Sequence, residues 1–123
     1  GKPIKGFTDV LFCPMMVLDL ADMLVEAAQK KLKGIYHLVG AQAMSKYDFG
    51  IAIANTFGFD PALISPASVT DGGLIAARSP NLTLDIGKIT AALGHMLPDF
   101  EKGLAKFYAQ YRHGFPKHIQ ALA

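Results

Sequence analysis

The sequence predicts an α/β fold: a short βαβ unit, further helices and one long irregular loop. Two short apolar runs, "MMVL" at 15–18 and "IYHLV" at 35–39, flank a helical repeat. Three later segments place apolar residues at three- and four-residue steps. Residues 59–84, by contrast, are broken by Pro61, Pro66, Gly72, Gly73 and Pro80.

Residues 1–14 contain Pro3, Gly6 and Pro14 and are expected to be extended or irregular. The run 15–18 is a strand candidate, and Asp19 is the expected N-cap of the first helix. Leu20, Met23, Leu24, Ala27, Ala28 and Leu32 form its buried face. Lys30, Lys31 and Lys33 suit the negative end of a helix dipole, and Gly34 is the expected stop. The run 35–39 is the second strand candidate, so 15–39 reads as strand, helix, strand. A helical connection joins parallel strands, usually right-handed.

"SKYD" at 45–48 predicts a capping box, with Ser45 as N-cap and Asp48 in place of the usual Glu or Gln. Phe49, Ala52, Ile53 and Phe57 mark the inner face of that helix, and Gly58 ends it. A loop as long as 59–84 in a compact domain is usually functional or disordered. A third helix begins at Asp85, turns Ile86, Ile89 and Leu93 inward and stops at Gly94. A fourth begins at Pro98 or Asp99 and carries Phe100, Leu104, Phe107, Tyr108 and Tyr111. Residues 113–123 are expected to fray.

The length suits one domain, 1–123. With 51% hydrophobic and 18% charged residues, some apolar surface is expected to meet another domain or a second copy of the chain. A net charge of +2 without a basic block argues against nucleic acid. The apolar runs are too short to span a bilayer. One cysteine, Cys13, excludes an internal disulfide and suits a reducing, cytoplasmic setting. Gly1 is no initiator, and the opening "GKPIKGFTD" reads as the middle of a longer polypeptide.

No G-x-G-x-x-G opens a helix, and no Tyr is followed four residues later by Lys. His113 and His118 are five apart and His95 stands alone, so solvated side chains are favoured over metal ligands. His37 reads as a hydrogen-bonded core or edge residue and Cys13 as a small buried apolar group. Asp19, Asp48 and Asp85 read as caps, which leaves no carboxylate pair for acid–base work. Arg78, one of only two arginines, precedes Ser79, Pro80 and Asn81 on a stiffened loop. Its planar fork can hold two phosphate oxygens, and Asn81 can add an amide donor beside it. An ordinary surface arginine, or one paired with Asp71, is the other reading.

"FTDVLFCPMMVLDLADMLVEAA", "GIYHLVGAQAMSKYDFGIAIANTFGFD", "LISPAS" and "AARSPNLTLDIGKITAALGHMLPDF", taken in this order, resemble the C-terminal part of extended short-chain dehydrogenases. The closest branch is that of dTDP-4-dehydrorhamnose reductase, and the resemblance runs from Phe7 to about Phe107. It implies a small substrate-binding lobe that closes a nucleotide-sugar against an upstream Rossmann domain. That domain would carry the glycine fingerprint, the Tyr-x-x-x-Lys pair and most of the NAD(P) site, so no cofactor is expected on this chain alone. By the resemblance, Arg78 and Asn81 lie near the nucleotide of the substrate, and Phe12 through Met15 near the sugar. Ser79 separates Arg78 from Pro80 where the family more often joins them. No tryptophan follows Ser45, as one often does in relatives. The alternative the resemblance leaves open is a non-catalytic regulatory protein of the same fold, of the methionine adenosyltransferase regulatory-subunit type.

Overall fold

The computed structural model describes residues 1–71, 76 and 79–121. The order is β1 (Ile4–Phe7), β2 (Leu11–Phe12), α1 (Val17–Gln29), β3 (Met44–Ser45), α2 (Lys46–Phe57), β4 (Ile64–Ala67), β5 (Asn81–Leu82), α3 (Gly87–Leu93), α4 (Phe100–Arg112) and α5 (Phe115–Gln120), with 3₁₀ turns at Pro61–Leu63 and Val69–Asp71. The mixed α/β class is as predicted; the strands are not where the apolar runs placed them.

The parallel pair is β1 with β4, in register from Ile4↔Ile64 to Phe7↔Ala67. Helix α2 lies in the crossover and packs on both strands. Pro66 stands opposite Gly6 within β4. A proline cannot donate to a ladder, so β4 suits the edge of a two-stranded sheet. Pro61 and Pro66 made this stretch read as loop, yet they sit in a 3₁₀ turn and an edge strand. A second sheet has the order β3-β2-β5, with β2 antiparallel to β3 and parallel to β5.

The run 15–18 forms no strand, because α1 already begins at Val17. The segment before it is pressed on Gly40, whose amide donates to Cys13 O at 3.3 Å. A Cβ on Gly40 would stand 1.9 Å from Pro14 O, so only glycine fits. Asp19 is therefore not the N-cap but the third residue of α1, where its side chain is buried. The run 35–39 is likewise in no ladder.

Helix α1 ends at Lys30, and the left-handed residue after it is Lys31 (φ 54°), not Gly34. Lys31 N donates to Ala28 O (3.0 Å) and Leu32 N to Ala27 O (3.1 Å), the paired bonds of a Schellman turn. The turn sends Leu32 back onto the core, which fixes the stop before Gly34 is reached.

Two caps are as expected. Ser45 Oγ accepts from Asp48 N (3.0 Å) and donates to the Asp48 carboxylate (2.7 Å), so the box closes on the hydroxyl instead of the Ser45 amide. Asp99 accepts from Lys102 N at 2.8 Å. Asp85 is not the N-cap of α3: that position is taken by Ile86, without a side-chain cap, and Asp85 stands one residue earlier, accepting from Gly87 N at 2.6 Å. Gly58 and Gly94 end their helices with left-handed φ. Pro116 in the first turn of α5 presets its φ, and the end predicted to fray is helical through Gln120.

Ile89, Leu93 and Leu97 form the centre of the core, with Met15, Met23, Tyr36 and Leu38 packed round them. Phe12, Phe49 and Phe100 join β2, α2 and α4 through edge and tilted ring contacts at 5.3 and 5.6 Å. Leu24, predicted to be inside, is exposed together with Val17 and Val25, so α1 leaves apolar surface uncovered. Among the described residues, no helix is long and apolar enough to cross a membrane.

Candidate functional site

β2 lies in the middle of its sheet and delivers Phe12 to one wall of a groove. The chain then turns at Pro14 and lays Met15 and Met16 along the floor, while α2 supplies Phe49 and α4 supplies Phe100 and Phe107. The cavity is about 330 Å³ and almost wholly apolar. On the other side of Phe12 and Phe49 lies a wider depression of about 790 Å³, which includes Lys2 and Lys46. The Lys46 ammonium stands 4.3 Å from the Phe12 ring centroid. A cation over an aromatic face is held by the ring quadrupole, so Lys46 is a positive charge held against Phe12 on the side of the wider depression.

Of the residues chosen from sequence, Phe12 and Met15 meet in this groove. Asn81 sits one strand away, with Leu11↔Asn81 and Phe12↔Leu82 in register. Its side-chain oxygen accepts from Thr83 N (3.0 Å) and Thr83 Oγ1 (2.7 Å), which orients the amide. Ser79 Oγ donates to Asn81 O at 2.9 Å, tying down the residue next to Pro80. Arg78 lies outside the described residues.

Two charged contacts were not foreseen. Lys106 donates to Asp19 Oδ1 at 2.6 Å, joining α4 to α1. Asp19 is 4% exposed, and its Oδ2 has no hydrogen-bond partner among the described residues. Gly103 packs against it, close enough that a Cβ there would stand in contact, at 3.4 Å, with Oδ2 and Met16 Cβ. Gly103 and Met16 also line the groove, so this ion pair braces its floor. The carboxylate holds the Lys106 ammonium above its ordinary pKa, first through the hydrogen bond and then through charge.

His95 is not a free solvated ring. Its Nδ1 lies 2.9 Å from Met96 O and its Nε2 2.9 Å from Glu26 Oε2. Two acceptors on the two ring nitrogens favour the doubly protonated form. The Met96 carbonyl, followed by Glu26, raises the His95 pKa, and the His95 hydrogen bond lowers that of Glu26. His113 Nδ1 also lies near a backbone acceptor, Ala109 O at 2.6 Å. His37 is exposed and Cys13 only partly buried. Among the described residues, no three His, Cys, Asp or Glu side chains cluster as metal ligands would.

The arrangement can bind and orient: an apolar trough, an ammonium over Phe12 in the adjoining depression and an oriented amide on the next strand. A family model described as RmlD substrate binding domain matches residues 1–113. The dTDP-4-dehydrorhamnose reductase of Aggregatibacter actinomycetemcomitans is 32% identical over 107 residues, 74% of this chain and 35% of that protein. Methionine adenosyltransferase 2 subunit beta of Mus musculus is 33% identical over 98 residues, 74% of this chain and 28% of that protein. Among solved structures, the dTDP-4-dehydrorhamnose reductase of Bacillus anthracis in complex with NADP matches with a TM-score of 0.80 at 23% identity, covering 89% of this chain and 39% of that one. The chain thus spans less than two fifths of the length of these relatives. A match over nearly all of its residues places the chain in the RmlD substrate binding domain family.

Proposed function

We propose that this chain is the nucleotide-sugar-binding lobe of an NAD(P)-dependent reductase acting on a nucleotide-linked keto-sugar. The observation that carries the reading is the convergence of Phe12 and Met15 on one apolar groove, with Lys46 stacked over the Phe12 ring and Asn81 on the neighbouring strand. An apolar trough suits the carbon face of a sugar, and a nearby cation suits a diphosphate. Arg78 is the proposed phosphate fork, Asn81 an amide contact, and Phe12 and Met15 the sugar wall.

The chain has no glycine fingerprint opening a helix and no Tyr-x-x-x-Lys pair, so its residues do not fit a dinucleotide site. The hydride donor and the proton donor are assigned to the rest of the reductase. This lobe contributes position and exclusion of water, which lower a barrier by fixing geometry.

The test is calorimetric titration of the full-length parent protein with dTDP and a dTDP-linked sugar. Arg78→Ala should weaken both by about 10- to 100-fold, the loss of a charge-assisted hydrogen bond of roughly 1.5–3 kcal/mol. Phe12→Ala should weaken only the sugar-bearing ligand. Equal affinities for wild type and Arg78→Ala would refute the phosphate fork.

A second reading rests on the similarity to methionine adenosyltransferase 2 subunit beta: a non-catalytic regulator of the same fold. NAD(P)H oxidation in the presence of a dTDP-linked keto-sugar supports the reductase. Nucleotide binding without turnover, together with stable association with a methionine adenosyltransferase, supports the regulator.

A further inference from the structure

Asp19 is 4% exposed, and its two carboxylate oxygens are treated unequally. Oδ1 accepts from the Lys106 ammonium at 2.6 Å, whereas Oδ2 is buried with no hydrogen-bond partner among the described residues. Charged acceptors in an interior ordinarily have their lone pairs met, so the second oxygen is held at a cost. Its neighbours show where it faces. A Cβ placed on Gly103 would stand 3.4 Å from Oδ2 and 3.4 Å from Met16 Cβ. Gly103 and Met16 both line the apolar groove beside Phe12. Oδ2 therefore lies just behind the groove floor, where Gly103 brings no side chain and Met16 is a flexible cover. Around that floor, Phe12, Phe49, Phe100, Leu104 and Phe107 bring no side-chain acceptor of their own. What Oδ2 lacks is a donor, not a positive charge, because Lys106 already neutralises the carboxylate. A second cation would face Lys106 across one carboxylate, while a neutral hydroxyl meets the lone pair without repulsion.

We propose that Asp19 Oδ2 is a specificity-determining contact of the groove, which accepts a hydrogen bond from one hydroxyl of the bound sugar once the Met16 side chain swings aside. This rests on the reading above that a nucleotide-sugar occupies the groove. Met16 turns about three side-chain bonds and its thioether forms no hydrogen bond among the described residues, so moving it disturbs little. In a groove that is otherwise apolar, one buried acceptor fixes which edge of the sugar enters. A sugar without that hydroxyl forfeits a bond to a charged group and gains nothing from the movement of Met16.

The experiment is calorimetric titration of the full-length parent protein with dTDP, dTDP-glucose and the monodeoxy analogues of its sugar. Wild type should bind one of the analogues about 10- to 100-fold more weakly than dTDP-glucose, the range for losing a bond to a charged group. Gly103→Ala tests the route. Its methyl group comes between Oδ2 and the groove at contact distance, and alanine is the better helix residue, so the urea midpoint should hold or rise. This variant should bind dTDP as wild type does, bind dTDP-glucose about 10- to 100-fold more weakly, and no longer distinguish that analogue. Asp19→Ala should change the ligand series in the same way, with a loss of stability that Gly103→Ala does not share. A wild type indifferent to every deoxygenation, or a Gly103→Ala protein that still discriminates, overturns the contact and leaves the groove's function standing. Failure of wild type to bind either dTDP or dTDP-glucose removes the function, and the contact falls with it.

Discussion

Lys106 Nζ lies 2.6 Å from Asp19 Oδ1 across 87 residues of sequence, and the carboxylate it reaches is almost fully buried. The ammonium is more than half exposed, so the lysine keeps much of its hydration while it neutralises a charge that has lost its own. The value of the contact is in not leaving Asp19 alone.

Lys106→Met should therefore destabilise the fold by about 3 kcal/mol, the scale for an uncompensated buried charge. Asp19→Asn combined with Lys106→Met should recover part of that loss. Urea unfolding of both variants checks this, and a double variant no more stable than the single one would show that the charge is not the cause. Because the Lys106 pKa is raised, its contribution is complete below the ordinary lysine value of 10.5 and is lost as pH rises through the higher folded value.

The Glu26–His95 bridge has a narrower window. His95 has a raised pKa, so its contribution is full below 6.5 and falls away as pH climbs through the folded value. Glu26 has a lowered pKa, so its contribution is full above 4.5 and is lost as pH drops through the folded value. The bridge is strongest between those limits. The stability difference between wild type and His95→Gln should be larger at pH 5.5 than at pH 8. Glu26→Gln should lower the His95 pKa in an NMR titration, though not to that of a free imidazole, because the Met96 carbonyl remains.

Lys31 occupies a left-handed position that glycine fills without steric cost. Lys31→Gly should stabilise the protein by about 0.5–1 kcal/mol, visible as a higher urea midpoint at unchanged slope. Gly34→Ala offers no such gain, since its φ of 97° lies outside what a side chain readily adopts.

Gly40 is the opposite case. A methyl group there would meet Pro14 O at 1.9 Å, and backbone cannot swing aside as a side chain can. Gly40→Ala should cost about 3 kcal/mol and loosen Met15 and Met16 from the groove floor. Thermal melts and ligand titration should then fail together; a variant with wild-type stability would mean the close approach is not required.

What was legible in the sequence was local. Ser45 with Asp48, Asp99, and the stops at Gly58 and Gly94 each concern groups within a few residues of one another. Spacing alone therefore carries them. Strands are different, because a strand is defined by its partner. Nothing near Ile4 or Ile64 says that these two pair. The run 35–39 had every internal mark of a strand and has no ladder partner among the described residues. Asp19 was misread because an acidic residue suits both the cap and the first turn, and the lysine that decides between them is on another helix. Phe12 and Met15 were singled out by resemblance, and the groove they share also depends on Phe49, Phe100 and Phe107, whose spacing marked them only as core.

The pairing of β1 with β4 also sets a timetable. Asp9 and Val69, which close the end of that sheet, are separated by 60 residues. At a synthesis rate of roughly 5–20 residues per second, the first strand leaves the ribosome about 3–12 s before its mate. Throughout that interval Ile4 and its neighbours lack the strand they pair with in this fold, so chaperone capture of this stretch of the nascent chain should fall once Ala67 emerges.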